Sequence, residues 1–141
     1  MLSNTEKFAQ QVNNTLKTRP MVYMGGGVSN INVGRLFVGI HPILNGLPQG
    51  QGMSWEYQCF YKGSKMGEPA RVSGIRLNTW GSELVVALNN PGSKEIISAL
   101  SVVPVGKGSV ILSTLNILPH LGNNEFSAVV AKKLFLNILE Y

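Results

Sequence analysis

The chain has 141 residues, enough for one domain with a sizeable core. Its 12 basic and 7 acidic residues leave a net charge of +5, yet the only adjacent basic pair is Lys132-Lys133, so a solvated surface is expected and no nucleic-acid partner. All the acids are glutamates and aspartate is absent, which excludes a Ser-His-Asp triad, an EF-hand loop and an Asp-based magnesium site.

No basic start, apolar stretch and small-residue cleavage site opens the chain, so no secretory signal is expected. The apolar runs are too short to cross a bilayer, so no membrane partner is expected either. Ser3-Asn4-Thr5-Glu6 reads as a capping box, and Phe8, Ala9, Val12 and Leu16 then fall on one helical face. Thr18-Arg19-Pro20 stops that helix. Met21-Val22-Tyr23-Met24 reads as a short buried strand ended by Gly25-Gly26-Gly27. Those glycines read as a turn more than a phosphate cradle, since Asn30 stands where a dinucleotide fingerprint needs glycine. Residues 28–71 are irregular and rich in Gly and Pro. Within them Phe37-Val38-Gly39-Ile40 is a short extended piece, and His41-Pro42 and Leu47-Pro48 mark turns. Residues 53–61 fit a short helix or a strand, and periodicity does not choose between them.

Residues 72–79 alternate as a strand, and 84–88 make a second. Asn89-Asn90-Pro91-Gly92 has turn chemistry, because Pro presets one central position and Gly permits positive φ at the next. A longer strand spans 96–105, and Gly106-Lys107-Gly108 turns it into another over 109–115. Connections this short force antiparallel neighbours. Pro104 cannot donate to a ladder and belongs near a strand end, an edge or a bulge. Asn123 or Asn124 caps a final helix. Its apolar face holds Phe126, Val129, Val130, Leu134, Ile138 and Tyr141, with Lys132, Lys133, Asn137 and Glu140 opposite. A helix this apolar must pack on a sheet.

Few residues offer chemistry. Cys59 is the sole cysteine, so no disulfide forms within the chain. With His41 and His120 far from it in sequence, neither a metal site nor a cofactor is expected. Cys59 reads as a small buried hydrophobe among Tyr57, Phe60 and Tyr61; as a nucleophile it would need a partner base and a lowered pKa. Glu56 and Glu83 lie beside aromatics or turns, but glycoside hydrolysis needs two carboxylates at a defined separation, and they read as surface or cap residues. Trp55, Tyr57, Tyr61 and Trp80 pack in a core or domain interface, or alternatively stack on sugar rings; Trp55, Tyr57 and Trp80 are the candidate carbohydrate-binding residues.

Four segments then form an ordered series. They are His41-Pro42-Ile43-Leu44-Asn45-Gly46-Leu47-Pro48, Trp55-Glu56-Tyr57, the strand led by Gly106-Lys107-Gly108, and the helix closing on Asn137-Ile138-Leu139-Glu140-Tyr141. This series, within residues 21–141, resembles the C-terminal glutamine-amidotransferase-like domain of family 2 type glycoside hydrolases, β-galactosidase-like enzymes. The resemblance implies an α/β fold with a partial flavodoxin-like, class I glutamine-amidotransferase-like sheet, an antiparallel hairpin portion and flanking helices. It also implies one accessory domain over 1–141, part of a longer protein, with a periplasmic or extracellular address. Its partners would be other domains of a larger glycoside hydrolase or a second subunit. Active amidotransferases place their cysteine on a Gly-flanked elbow and a histidine close to a glutamate. Cys59 lacks the glycines, and neither His41 nor His120 is followed by that glutamate, so the chemistry is expected to be lost. The expectation is therefore a non-catalytic structural or interaction domain. A carbohydrate-binding module or a divergent small-molecule hydrolase around Cys59 are the alternatives.

Overall fold

A computed structural model describes residues 14, 21–23, 36–61, 75–77, 82–88, 96–122, 124–126 and 128–141. The fold is mixed, an antiparallel sheet with a C-terminal helix. Five strands make the body of the sheet: β2 (Phe37–Val38), β3 (Gln51–Gly52), β5 (Ser82–Leu88), β6 (Ile96–Val105) and β7 (Gly108–Ser113). Two three-residue strands, β1 (Met21–Tyr23) and β4 (Ile75–Leu77), extend it, giving the order β1-β4-β6-β5-β2-β3 with β7 also on β6. Helix α1 (Gln58–Tyr61) is one turn long, and α2 (Ala128–Glu140) runs for 13 residues.

β6 organises the sheet because its ten residues are long enough to serve three neighbours. β5 lies along one edge, and β7 and β4 share the other. The β6–β7 hairpin closes through Gly106-Lys107, with Gly106 at φ 59 in the left-handed region that glycine enters without a Cβ penalty. Pro104 falls beyond the stretch that pairs with β5, where its missing N–H costs no ladder bond on that side. Register slips in β5 between Glu83, Val85 and Val86 mark a bulge, and the Ser98 hydroxyl reaches the Val85 carbonyl there at 3.3 Å. Ser101 donates to Ser98, which also donates to the Leu100 carbonyl, so these buried hydroxyls are satisfied inside the sheet.

Every pairing among the described residues is antiparallel. The parallel core of a flavodoxin-like sheet, expected from the resemblance, is therefore not present among them. For the β6–β7 pair the physical reason is connection length, since the two-residue link Gly106-Lys107 admits only an antiparallel partner while a parallel pair needs a helical crossover. The hairpin portion and the final helix agree with the sequence reading. The capping box at Ser3, the first helix apart from Asn14, Gly25-Gly26-Gly27, Trp80 and the Asn89-Asn90-Pro91-Gly92 turn lie outside the described residues.

The core joins Leu84, Val85, Ile97, Ala99 and Leu100 of the sheet to Leu36, Ile43, Leu44, Tyr57 and Phe60 of the loops, and Ala131 and Leu134 of α2 seal it. Helix α2 thus packs mainly on the turns of residues 42–61 and 118–120, not face-on against the strands as its apolar pattern predicts. Its faces differ from the pattern read in sequence. Asn137, assigned to the outer face, is 7% exposed, while Phe126, Val129 and Tyr141, assigned inward, are exposed. The helix rotates so that the buried stripe is Ala128, Ala131, Leu134 and Asn137, because Asn137 finds two backbone acceptors inside.

Candidate functional site

Among the described residues, side-chain contacts gather on the loop between β2 and β3, residues 39–50. Its ends are held close by the Phe37↔Gly52 and Val38↔Gln51 pairs and by the Gly50 N–H donating to the Val38 carbonyl at 2.8 Å. Inside it Pro42–Leu44 forms a 3-10 turn, with Pro at its start where a missing N–H costs nothing. His41 caps that turn. Its Nδ1 accepts from the Ile43 N–H at 3.2 Å, which makes the neutral ring protonated on Nε2, and its own N–H donates to Gln49 Oε1 at 3.1 Å. Partial burial holds the His41 pKa below its ordinary value. Gly46 follows at φ 74, a conformation glycine adopts freely.

Three side chains from elsewhere grip this loop. The Asn137 amide nitrogen donates to the carbonyls of Ile43 at 2.7 Å and Asn45 at 2.8 Å, across 94 and 92 residues of chain. The Tyr57 hydroxyl donates to the Pro48 carbonyl. The Tyr141 ring sits 5.3 Å from that of His41, tilted by 48°. Three of the four segments noted in the sequence, the His41-Pro48 stretch, Trp55-Glu56-Tyr57 and the Asn137-to-Tyr141 tail, are therefore one contacting cluster. The fourth, Gly106-Lys107-Gly108, is an exposed hairpin tip.

The candidate residues separate. Tyr57 is 1% exposed, and burial with the neighbouring Glu56 carboxylate raises its pKa to about 12. Its ring is buried and its hydroxyl anchors the loop, unlike the exposed ring of Trp55. Trp55 is 59% exposed and stacks on Phe126, itself 75% exposed, with ring centroids 5.9 Å apart and planes 15° from parallel. Phe126 was not foreseen as part of an aromatic surface, because helical spacing placed it inward. Trp80 lies outside the described residues, so no grouping with Trp55 is established.

Cys59 is 5% exposed, and burial raises its thiol to about 11, far from a thiolate at neutral pH. The negative charge of Glu125 adds to that rise. Among the described residues no group of His, Cys and Glu could hold a metal ion, and no helix is long and apolar enough to cross a membrane. Glu56 Oε2 and His120 Nδ1 are buried without a hydrogen-bond partner. No family model, curated protein or solved structure matches this chain.

Proposed function

We propose that the chain is a non-catalytic structural and interaction domain associated with a carbohydrate-active enzyme of the glycoside hydrolase type. The observation that carries this reading is where the motif side chains go. His41, Asn137, Tyr57 and Tyr141 are engaged with backbone groups and with one another around the loop of residues 39–50. A catalytic constellation instead needs a nucleophile within reach of a base. Cys59, buried and protonated at neutral pH, supports the absence of amidotransferase chemistry. The link to carbohydrate-active enzymes rests on the ordered motif series. Exposed Val129, Leu136 and Leu139 along α2 support a role exercised by contact with other protein.

The test is direct. Purified chain incubated with glutamine and with aryl glycosides is expected to release neither ammonia nor the aryl alcohol. Ammonia release that disappears in Cys59→Ala would overturn the proposal.

A second reading has its own observation. The Trp55–Phe126 pair is an exposed aromatic surface of the kind that packs on the apolar face of a pyranose, and Glu56 beside Trp55 in sequence holds an unpartnered oxygen. Calorimetric titration with galactosides, mannans and xylans decides it. Heat lost in Trp55→Ala supports sugar binding, and flat traces remove it.

A further inference from the structure

Helix α2 buries Ala128, Ala131, Leu134 and Asn137, exposes Val129, Leu136, Leu139 and Glu140, and holds Lys132 and Lys133 half-buried between them, Lys133 beside Gly46. Val129, Leu136 and Leu139 are each more than half exposed. Leu136 lies at the centre of this outer face, with Lys132 and Glu140 one turn to either side, so the face is a seam along which a second helix can pack. The charges on the seam are asymmetric along its length, with Lys132 and Lys133 one turn before Leu136 and Glu140 one turn after it.

That arrangement is complementary to itself when reversed. We propose that α2 docks through this face on the same face of a second copy of the chain, antiparallel about a two-fold axis at Leu136. The axis sets Leu136 against Leu136 of the other copy. Four residues on either side of it Glu140 of each copy meets Lys132 of the other, and three residues on either side Leu139 meets the stem of Lys133. A parallel pairing would instead stack Lys132-Lys133 on Lys132-Lys133 and Glu140 on Glu140, which like charges oppose. This names a partner for the interaction role proposed above and rests on that role. A single 13-residue helical face is small, so the dimer is weak and forms with rising concentration.

Sedimentation of the full chain between about 10 µM and about 1 mM tests it. The expected result is a shift from the 15.3 kDa monomer toward twice that mass, weakened by salt. Leu136→Glu sets two carboxylates on the axis and is expected to leave a monomer with unchanged thermal unfolding, since the position is exposed. Glu140→Lys is expected to lower the association at least tenfold, and adding Lys132→Glu and Lys133→Glu to it restores the dimer. A wild-type monomer throughout that range overturns self-pairing and leaves the non-catalytic reading to its own turnover assay. A dimer that survives both Leu136→Glu and Glu140→Lys uses another surface and also overturns it.

Discussion

His41 shows how a residue that looks chemical in sequence becomes structural in the fold. Its Nδ1 caps the Pro42–Leu44 turn, so protonation there converts an acceptor into a donor facing the Ile43 N–H. Partial burial already disfavours the charged ring. The unfolded chain binds the proton near the ordinary value of 6.5 while the folded chain binds it lower, so below 6.5 the unfolded state holds more protons. His41 therefore contributes its full stability above pH 6.5, and that contribution is lost as pH falls through the folded value. His41→Asn keeps a side-chain acceptor at the cap without the titration. Thermal unfolding followed from neutral to mildly acidic pH is expected to fall more steeply in the wild type than in His41→Asn. Parallel curves for the two proteins would remove His41 from this role.

Among the elements, the loop of residues 39–50 depends on its turn geometry. Gly46 at φ 74 follows the Pro42–Leu44 turn, and a Cβ there would meet only the Lys133 Cε at 3.2 Å, the far end of a side chain that can move aside. The cost of Gly46→Ala is thus backbone strain, about 1–2 kcal/mol. Gly122, without positive φ and with open space around it, serves as the comparison, and Gly122→Ala is expected within about 0.5 kcal/mol of wild type. Denaturant unfolding of both variants measures the difference, and equal stabilities would contradict the strain argument. The same contrast explains what sequence reveals about elements. The β6–β7 hairpin was legible because Gly-Lys-Gly between two apolar runs is local turn chemistry, and β6 spans the expected residues 96–105. Residues 53–61 were left between helix and strand, and they form a 3-10 turn at Trp55–Tyr57 running into α1. A one-turn helix is too short to show a period, so no pattern existed to read.

For the whole molecule, the long-range contacts decide what the motifs do. Helical spacing placed Asn137 among Lys132, Lys133 and Glu140, since an asparagine on an apolar helix is ordinarily solvated. Only the fold brings the Ile43 and Asn45 carbonyls within 2.8 Å and makes burial favourable. Nothing local to either segment encodes that meeting, although their order along the chain was visible. Likewise the buried state of Cys59 was legible from its aromatic neighbours, whereas the Trp55–Phe126 surface was not, because it pairs a loop residue with one before α2. The flavodoxin-like sheet implied by resemblance was a global expectation, and among the described residues the mixed fold has only antiparallel pairs. If the motif cluster holds the fold together, its removal must appear in stability.

The measurement that tests this most directly is equilibrium unfolding of Asn137→Asp beside Asn137→Ala. Aspartate keeps the shape of the side chain but points a carboxylate oxygen at one or both carbonyls in place of the amide donor. The account predicts a loss of about 2–4 kcal/mol in Asn137→Asp and at least about 1 kcal/mol in Asn137→Ala, which leaves both acceptors unpaired. Wild-type stability in both variants would contradict it, because the motif residues would then be free of the structural work assigned to them.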